Sequence, residues 1–327
     1  MNYRTFGKTN FKVSEISLGT WQLGSKWGDP FNEKVALDTL QAAIDNGINL
    51  FDTADIYQDG NSEKAIGKFL KMHPDKDIFV VTKMGRDLNP HVAEGYNEEN
   101  LRRFVNRSRQ QLGKESLDLT LLHCPPTSVF YDKKVFDVLD AMKAEGLIKH
   151  YGVSIEKVEE GLAALEHDIS AIEVIFNMFR TKPAEELFKK AAAKNVGIIV
   201  RVPLASGLLT GKYTENTTFG PQDHRSFNRN GEAFDKGETF SGVDYATGIR
   251  VAQQLKEELH TDNLAATALR WILMHPEVSV IIPGASRPEQ IKANVTASEL
   301  PALSDAEMVK VQEIYDKEIR PSVHHLW

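Results

Sequence analysis

Short runs of apolar residues alternate with longer segments of helical periodicity along almost the whole chain. Each run is four to six residues long, and apolar residues recur every three or four positions in the segments between runs. Eight such runs are found, at residues 16–19, 48–51, 78–82, 117–122, 150–154, 172–176, 196–201 and 278–282. Strands buried on both faces have this nearly continuous apolar character, and their alternation with helices indicates a parallel sheet.

Eight strand–helix units within 327 residues predict an α/β fold of the closed (β/α)8 TIM-barrel type, formed by one domain over residues 1–327. The predicted helices lie at residues 33–46, 62–71, 97–113, 133–146, 156–166, 184–195, before residue 278, and from about 288. The alternative is an open doubly wound sheet, which usually carries a glycine fingerprint after its first strand. Residues 19–24 read Gly-Thr-Trp-Gln-Leu-Gly, which is not that fingerprint, so the barrel is favoured.

Two segments lie outside the repeat. Residues 3–14 contain two short runs around Gly-Lys-Thr-Asn, which predicts a β-hairpin that plugs the N-terminal end of the barrel. Residues 211–242 are polar and rich in glycine. They predict a long loop on the C-terminal face, and loops of this length are often functional or mobile.

Composition narrows the class of protein. A hydrophobic content of 41% and a charged content of 26% are typical of a globular chain. The net charge of −7 argues against general nucleic-acid binding, which normally uses a basic patch. The single cysteine, Cys124, excludes an intramolecular disulfide and a cysteine-rich metal cluster, and we predict no metal site.

The sequence also bears on location. The N-terminal residues lack the apolar core of a signal peptide. No window has the length of uninterrupted apolar residues that a transmembrane helix needs. We therefore expect a cytoplasmic protein that does not bind membranes.

Four polar residues follow three successive predicted strands. Asp52 ends the second strand and Tyr57 lies five residues later, while Lys83 and His123 end the third and fourth strands. In a barrel, residues at these strand ends face one common mouth. A free tyrosine has a pKa of about 10, which a nearby ammonium lowers by stabilising the phenolate. The four together can protonate a developing alkoxide.

Each of these residues has a structural explanation when taken alone. Asp52 has the position of a helix cap, Tyr57 and His123 can be packing residues, and Lys83 can be a surface lysine. Their joint position at consecutive strand ends favours the catalytic interpretation.

The catalytic segments resemble those of the aldo-keto reductases. They read Phe-Asp-Thr-Ala-Asp-Ile-Tyr at 51–57, Val-Thr-Lys at 81–83 and Leu-Leu-His at 121–123. The resemblance continues at residues 19–21, 152–154, 203–212 and 282–286, in the family's order. It implies an oxidoreductase that reduces aldehydes or ketones to alcohols, with hydride from a nicotinamide. Tyr57 is then the general acid, Lys83 with Asp52 lowers its pKa, and His123 orients the carbonyl oxygen.

The resemblance also implies a site for NADPH (NADP+). The segment 283–294 is similar to the family's adenosine-phosphate clamp, in which small residues expose backbone N–H groups at a helix N-terminus. Arg287 offers a guanidinium fork to a 2′-phosphate, and the preference for NADPH depends mainly on it. The predicted cofactor residues are Ser154, Arg201, Pro203, Leu204, Gly207, Leu209, Lys212, Gly284, Ser286, Arg287, Gln290 and Asn294.

The chain departs from the family pattern at two positions on the nicotinamide side. Arg201 stands where many members have a tyrosine that stacks on the ring, and a guanidinium can also lie flat against an aromatic ring. Glu173 stands where a glutamine often meets the carboxamide, and Asn177 is a second candidate for that contact. Trp21 resembles the family's substrate-pocket aromatic, and Trp27 is a further candidate.

Three functions compete. The first is an NADPH-dependent reductase acting on a small-molecule carbonyl or alcohol substrate. The second is a cofactor-binding regulatory protein, because the family includes channel-associated β subunits that keep the four residues. The third is a Schiff-base enzyme with Lys83 as nucleophile, which Asp52 disfavours by keeping the ammonium charged. The sequence makes no prediction about oligomeric state.

Overall fold

The chain begins with the predicted hairpin. The computed structural model describes residues 1–25 and 28–327. Strands β1 (Tyr3–Phe6) and β2 (Phe11–Ser14) pair in antiparallel fashion. Eight parallel strands then follow one another round a curled sheet in chain order. They are β3 (Leu18–Gly19), β4 (Leu50–Asp52), β5 (Phe79–Met84), β6 (Leu117–His123), β7 (Ile148–Ser154), β8 (Ala171–Ile175), β9 (Gly197–Arg201) and β10 (Val278–Ile281).

Backbone hydrogen bonds join the first and last strands of this sheet. Ser17 N donates to Ile281 O at 2.9 Å, and Gly19 N donates to Pro283 O at 3.2 Å. Ile281 N in turn donates to Glu15 O at 3.0 Å. The (β/α)8 barrel is therefore confirmed, and the open doubly wound alternative is excluded because these two edges are paired.

The predicted helices pack against the outer faces of the strands and enclose the larger apolar core, and three further helices, at residues 224–227, 305–314 and 320–323, were not predicted from the sequence. Together the helices are α1 (Glu33–Asp45), α2 (Asn61–Met72), α3 (Glu98–Leu112), α4 (Lys133–Ala144), α5 (Val158–Ala164), α6 (Leu187–Ala193), α7 (His224–Phe227), α8 (Tyr245–Glu258), α9 (Leu264–Leu273), α10 (Pro288–Val295), α11 (Asp305–Ile314) and α12 (Arg320–Val323). Local chemistry sets several of their ends. Asn97 caps α3 by accepting from Asn100 N at 3.1 Å, and Gly113 ends α3 in the left-handed conformation.

A smaller apolar cluster fills the barrel interior, and the hairpin completes it. Phe6 and Val13 of the hairpin are fully buried in this cluster. Phe6 lies against Gly197, the first residue of β9, where a side-chain carbon would overlap the phenyl ring. The hairpin therefore closes the N-terminal end of the barrel, as predicted.

Replacing Phe6 by alanine is expected to lower the free energy of unfolding by about 3–5 kcal/mol, because it empties a fully buried site at the barrel floor. Urea titration followed by circular dichroism measures this change. Val309→Ala on α11 is the control, since Val309 is 56% exposed and its loss should change stability by about 0.5 kcal/mol or less. Equal effects of the two variants would contradict the role of the hairpin.

The long polar segment 211–242 contains more regular structure than its composition indicates. It includes α7 and two short 3-10 turns, Lys236–Glu238 and Phe240–Gly242. Asn228 is fully buried in it, and its side-chain oxygen accepts from Ala233 N and Phe234 N, each at 2.8 Å. These bonds bring residues 234–238 against the C-terminal mouth of the barrel, where Phe234 and Glu238 line a cavity.

Within the described residues, no helix combines the length and apolar character needed to cross a membrane.

Candidate active site

The alternation of strand side chains determines which residues reach the mouth. Residues two positions apart on a strand share a face. The interior cluster contains Leu50, Val81, Leu121, Ala171 and Ile199 from five strands. The residue two positions later in each case is Asp52, Lys83, His123, Glu173 and Arg201. The same pattern that fills the barrel with apolar groups thus directs five polar side chains into its C-terminal mouth.

Three of the four predicted catalytic residues, Asp52, Tyr57 and Lys83, meet at the Lys83 Nζ atom. The Lys83 ammonium donates to Asp52 Oδ1 at 2.6 Å, to Tyr57 Oη at 3.4 Å and to Thr53 O at 3.2 Å. Lys83 lies on β5 rather than after it, since this strand continues to Met84. Because the ammonium donates to the phenolic oxygen, the phenolic proton is left to point elsewhere.

The fourth residue, His123, faces Tyr57 across the cavity. The imidazole and phenol rings are 5.9 Å apart between centroids and nearly perpendicular. The segment between Asp52 and Tyr57 is held beside β5, because Thr53 N donates to Val81 O at 2.8 Å and Asp55 N to Lys83 O at 3.1 Å. The structure therefore brings together all four residues that the sequence singled out.

Burial and neighbouring charges determine the protonation of this group. Burial disfavours the Lys83 ammonium, but Asp52 and Glu173 outweigh it and raise the pKa of Lys83 above its usual range. Burial raises the pKa of Tyr57, and the opposing effect of Lys83 does not cancel that rise. Lys83 lowers the pKa of Tyr57 as expected, but the cost of burying the phenolate raises it by more. The predicted net lowering of the pKa of Tyr57 is therefore wrong. The phenol is a protonated acid at neutral pH.

The same buried, charged environment shifts the pKa values of His123 and Asp52. Burial, together with Arg86 and Lys83, holds the pKa of His123 well below its usual range, so the imidazole is neutral. Burial and the Glu173 carboxylate raise the pKa of Asp52, whereas Lys83 opposes this rise. A neutral imidazole keeps one N–H that can be donated to an oxygen.

Glu173 adds a second carboxyl group beside Lys83. Its Oε2 lies 3.4 Å from Lys83 Nζ, and its Oε1 accepts from Ser154 Oγ at 3.4 Å. Asn177, the second candidate for this position, uses its side-chain N–H groups on Val202 O and Ser241 Oγ, at 3.0 and 2.9 Å. Glu173 therefore lines the cavity, while the amide of Asn177 bonds to the surrounding protein.

Arg201 is held by carboxylates that sequence reasoning missed. Its Nη2 lies 2.9 Å from Glu156 Oε1 and its Nη1 lies 3.6 Å from Glu238 Oε2. Arg86 also pairs with Glu238, at 2.9 Å. Arg86 follows the end of β5 by two residues and was detectable by its strand-end position. Glu238 lies in the segment 211–242, where no local pattern indicates that it reaches the mouth.

These charges shift the acidity of the two carboxyls in opposite directions. Burial raises the pKa of Glu156 to about 8, although Arg201 counteracts it. For Glu238, Arg86 and Arg201 outweigh burial and lower the pKa far below its usual range. Cys124 comes within 4.8 Å of both carboxylates, and burial raises the pKa of its thiol. Arg201 already contacts all three groups, which disfavours a metal cation there.

A cavity of about 570 Å³ extends from Asp52, Tyr57 and His123 along the ends of β9 and β10, and the fully buried Lys83 lies behind its wall. Trp21 lies in its wall, with its ring 6.3 Å from that of Tyr57. Trp27 lies outside the described residues. Six of the predicted cofactor residues line this cavity: Arg201, Pro203, Leu204, Gly207, Gly284 and Gln290.

The other predicted cofactor residues lie around the cavity. Leu209 is buried in the core, and Ser154 lies beneath Glu173. Lys212 and Arg287 are exposed, and Ser286 and Asn294 are half-buried. At the start of α10, the Gln290 side-chain oxygen accepts from Ser286 N at 2.8 Å.

The cavity has features that suit a nicotinamide cofactor. Four buried polar atoms of residues that line it have no hydrogen-bond partner among the described residues: Asp52 Oδ2, His123 Nδ1, Glu173 Oε2 and Arg201 Nε. A side-chain carbon at Gly284 would meet only Gly19 O, at 4.0 Å, so the backbone that precedes α10 is open to the cavity at this residue. The cavity thus offers polar contacts at one end and an anion-binding helix start at the other.

Comparisons with known proteins identify the family. The model of the aldo/keto reductase family covers residues 15–316. The chain is 29% identical to aldo-keto reductase YhdN of Bacillus subtilis, over 90% of this chain and 87% of that protein. It is also 29% identical to the NADH-specific methylglyoxal reductase of Escherichia coli, over 94% and 96%. A putative voltage-gated potassium channel subunit beta of Schizosaccharomyces pombe is 28% identical, over 95% and 92%.

The fold agrees with solved structures. The glycerol dehydrogenase AKR11B4 of Gluconobacter oxydans superposes with a TM-score of 0.78 at 26% identity, over 97% of this chain and 96% of that chain. Family model, relatives and fold point to the same group of proteins, and this chain belongs to the aldo/keto reductase family.

Proposed function

We propose that this protein reduces small aldehydes or ketones to alcohols with a nicotinamide cofactor, and that Tyr57 supplies the proton. Membership of the aldo/keto reductase family supports an oxidoreductase that uses such a cofactor. The observation that carries the proposal is the charged Lys83 between Asp52, at 2.6 Å, and Tyr57, at 3.4 Å, where Asp52 and Tyr57 line one cavity with His123.

The residues of the site divide the work of protonating a carbonyl oxygen. When bound, the cofactor supplies a hydride to the carbonyl carbon. His123 donates its remaining N–H to the oxygen and orients it, and Tyr57 donates the proton as negative charge develops there. Lys83 stabilises the phenolate that Tyr57 becomes, and Asp52 holds the ammonium in position.

We assign the cofactor to the cavity between these residues and α10. Ser154 and Arg201 are the proposed contacts for the nicotinamide end, and the turn over residues 203–212 would hold the pyrophosphate. The backbone at Gly284 suits a phosphate, whereas the Ser286 N–H donates to Gln290 Oε1, so Ser286 would contact the cofactor through its side chain. Arg287, Gln290 and Asn294 are the proposed contacts at the adenosine end. The unpartnered buried atoms of Glu173 and His123 support occupation of the other end.

Preference for NADPH depends on Arg287, whose side chain is exposed and 3.8 Å from Glu289. We expect the wild-type protein to bind NADPH more tightly than NADH. Arg287→Ala should weaken NADPH binding about tenfold, because a charge-assisted bond to the 2′-phosphate is lost, and leave NADH binding within about twofold. Fluorescence titration with both nucleotides measures the two affinities.

Arg103→Ala provides the matched control, because Arg103 is an exposed arginine on α3, a helix that does not line the cavity. Tighter binding of NADH than of NADPH by the wild-type protein would contradict the assignment. That outcome would place the chain with its NADH-specific relative.

The second candidate function is a cofactor-binding regulatory protein, which the similarity to a putative channel subunit beta supports. The two functions differ in turnover. Steady-state reduction of an aromatic aldehyde with NADPH supports the reductase. Tight cofactor binding without measurable turnover across a panel of carbonyl compounds supports the regulatory protein.

A further inference from the structure

Glu173 is a buried carboxylate that has no role in the proposed transfer of a proton to the carbonyl oxygen. It is 1% exposed, lines the cavity, and its Oε2 has no hydrogen-bond donor among the described residues. Lys83, 3.4 Å away, already has Asp52 at 2.6 Å as a closer carboxylate. Among the described residues, the only compensation for Glu173 Oε2 is the ion-pair contact with Lys83, so this buried oxygen can accept a hydrogen bond from a partner that enters the cavity.

The surrounding cations compensate this carboxylate only in part. Lys83 is shared between Asp52 and Glu173. Arg201 lies 3.9 Å from Glu173 Oε1, farther than the 2.9 Å that separates it from Glu156. Two carboxyl groups, Asp52 and Glu173, therefore share one ammonium at this wall of the cavity, and additional positive charge is favourable there.

We propose that Glu173 makes the site favour the oxidised, cationic form of the nicotinamide ring over the reduced, neutral form. This inference rests on the proposed function. Hydride transfer moves two electrons and a hydrogen from the ring to the carbonyl carbon, while the Tyr57 proton goes to the oxygen. The ring thus gains one positive charge as the alcohol forms. A fixed buried carboxylate nearby stabilises that charge with little reorganisation.

The consequence concerns the equilibrium between the bound reactants and the bound products, since the overall equilibrium in solution does not depend on the protein. A site shifts an equilibrium between two forms of a ligand only by its difference in affinity for them. If the oxidised form gains from Glu173 and the reduced form does not, the equilibrium on the protein moves toward alcohol and oxidised cofactor. Glu173 then acts as a positioning and electrostatic residue for reduction, separate from the proton donor.

Binding measurements without any carbonyl substrate test this role. Isothermal titration calorimetry gives the dissociation constants of NADP+ and NADPH for the wild-type protein and for Glu173→Gln, which keeps the shape and removes the charge. The ratio of the NADP+ constant to the NADPH constant is expected to rise about tenfold in the variant. Glu173→Asp, which retains the charge, should keep a ratio close to that of the wild type.

A second variant, which should change the ratio of dissociation constants in the opposite direction, tests the proposal if Glu173→Gln does not fold. Arg201→Gln removes a cation from the same wall, so the ratio should fall below the wild-type value. Glu299→Gln, at an exposed position, is the control and should leave both constants unchanged. An unchanged ratio in Glu173→Gln, or in Arg201→Gln if only that variant folds, overturns the proposal. Failure of the wild-type protein to bind either nucleotide would instead contradict the proposed function itself, and this inference with it.

Discussion

Replacing Tyr57 by phenylalanine is expected to reduce the catalytic efficiency of carbonyl reduction by about a thousandfold while leaving cofactor affinity within about twofold. Phenylalanine keeps the ring beside Trp21 and His123, 6.3 and 5.9 Å away, and removes only the hydroxyl. Since Lys83 donates to that hydroxyl and cannot itself take its place, no proton donor remains. Steady-state kinetics with an aromatic aldehyde and fluorescence titration of the cofactor measure the two quantities.

The matched control for this variant is Tyr131→Phe, because Tyr131 is 65% exposed and is absent from the residues that line the cavity. It should retain wild-type kinetics. Reduction by Tyr57→Phe at a rate near that of the wild type would remove Tyr57 from the role of proton donor and leave the cavity without an assigned acid.

Replacing Lys83 by methionine is expected to remove activity and to destabilise the fold by about 3–5 kcal/mol. The side chain is fully buried between Asp52 and Glu173, which are themselves buried. Without the ammonium, these two carboxyls lose their common cation, and breaking a buried ion pair from one side is strongly destabilising. Urea titration gives the stability, and steady-state kinetics give the activity.

A double variant separates the two effects of Lys83. Adding Glu173→Gln to Lys83→Met removes one of the carboxylates left without a cation, so part of the lost stability should return. Activity should not return, because Tyr57 still lacks the cation that stabilises its phenolate. Recovery of substantial reductase activity in the double variant would contradict the assignment of Lys83 to the chemistry and leave it a structural role.

The strand-end residues show how far sequence reasoning reaches. The apolar runs before Asp52, Lys83 and His123 predict strands, and the parallel order predicts that their ends share one mouth. The structure confirms the fold and brings these residues and Tyr57 together. This success has a local cause, since each residue's position follows from its own strand and the side-chain alternation along it.

Glu173 marks the limit of that reasoning. Its two-residue spacing from Ala171 directs it into the mouth, and this much is readable along β8. The distance of 3.4 Å between Glu173 and Lys83 cannot be read from the sequence, because β5 and β8 are separated in the sheet by β6 and β7. The two side chains meet only across the interior of the closed barrel.

The sequence by itself determined the eight strands, their helices, the hairpin at the barrel floor and the strand-end positions of the catalytic candidates, because hydrophobic periodicity and strand alternation are local properties. Only the tertiary structure decided the electrostatics of the mouth. Glu156 and Glu238 reach Arg201 from two separate segments, and Arg86 from a third segment pairs with Glu238. Burial, which exists only once these segments have packed, raises the pKa of Tyr57 despite the neighbouring ammonium. Long-range contact and desolvation depend on the whole fold, and no pattern along the chain specifies them.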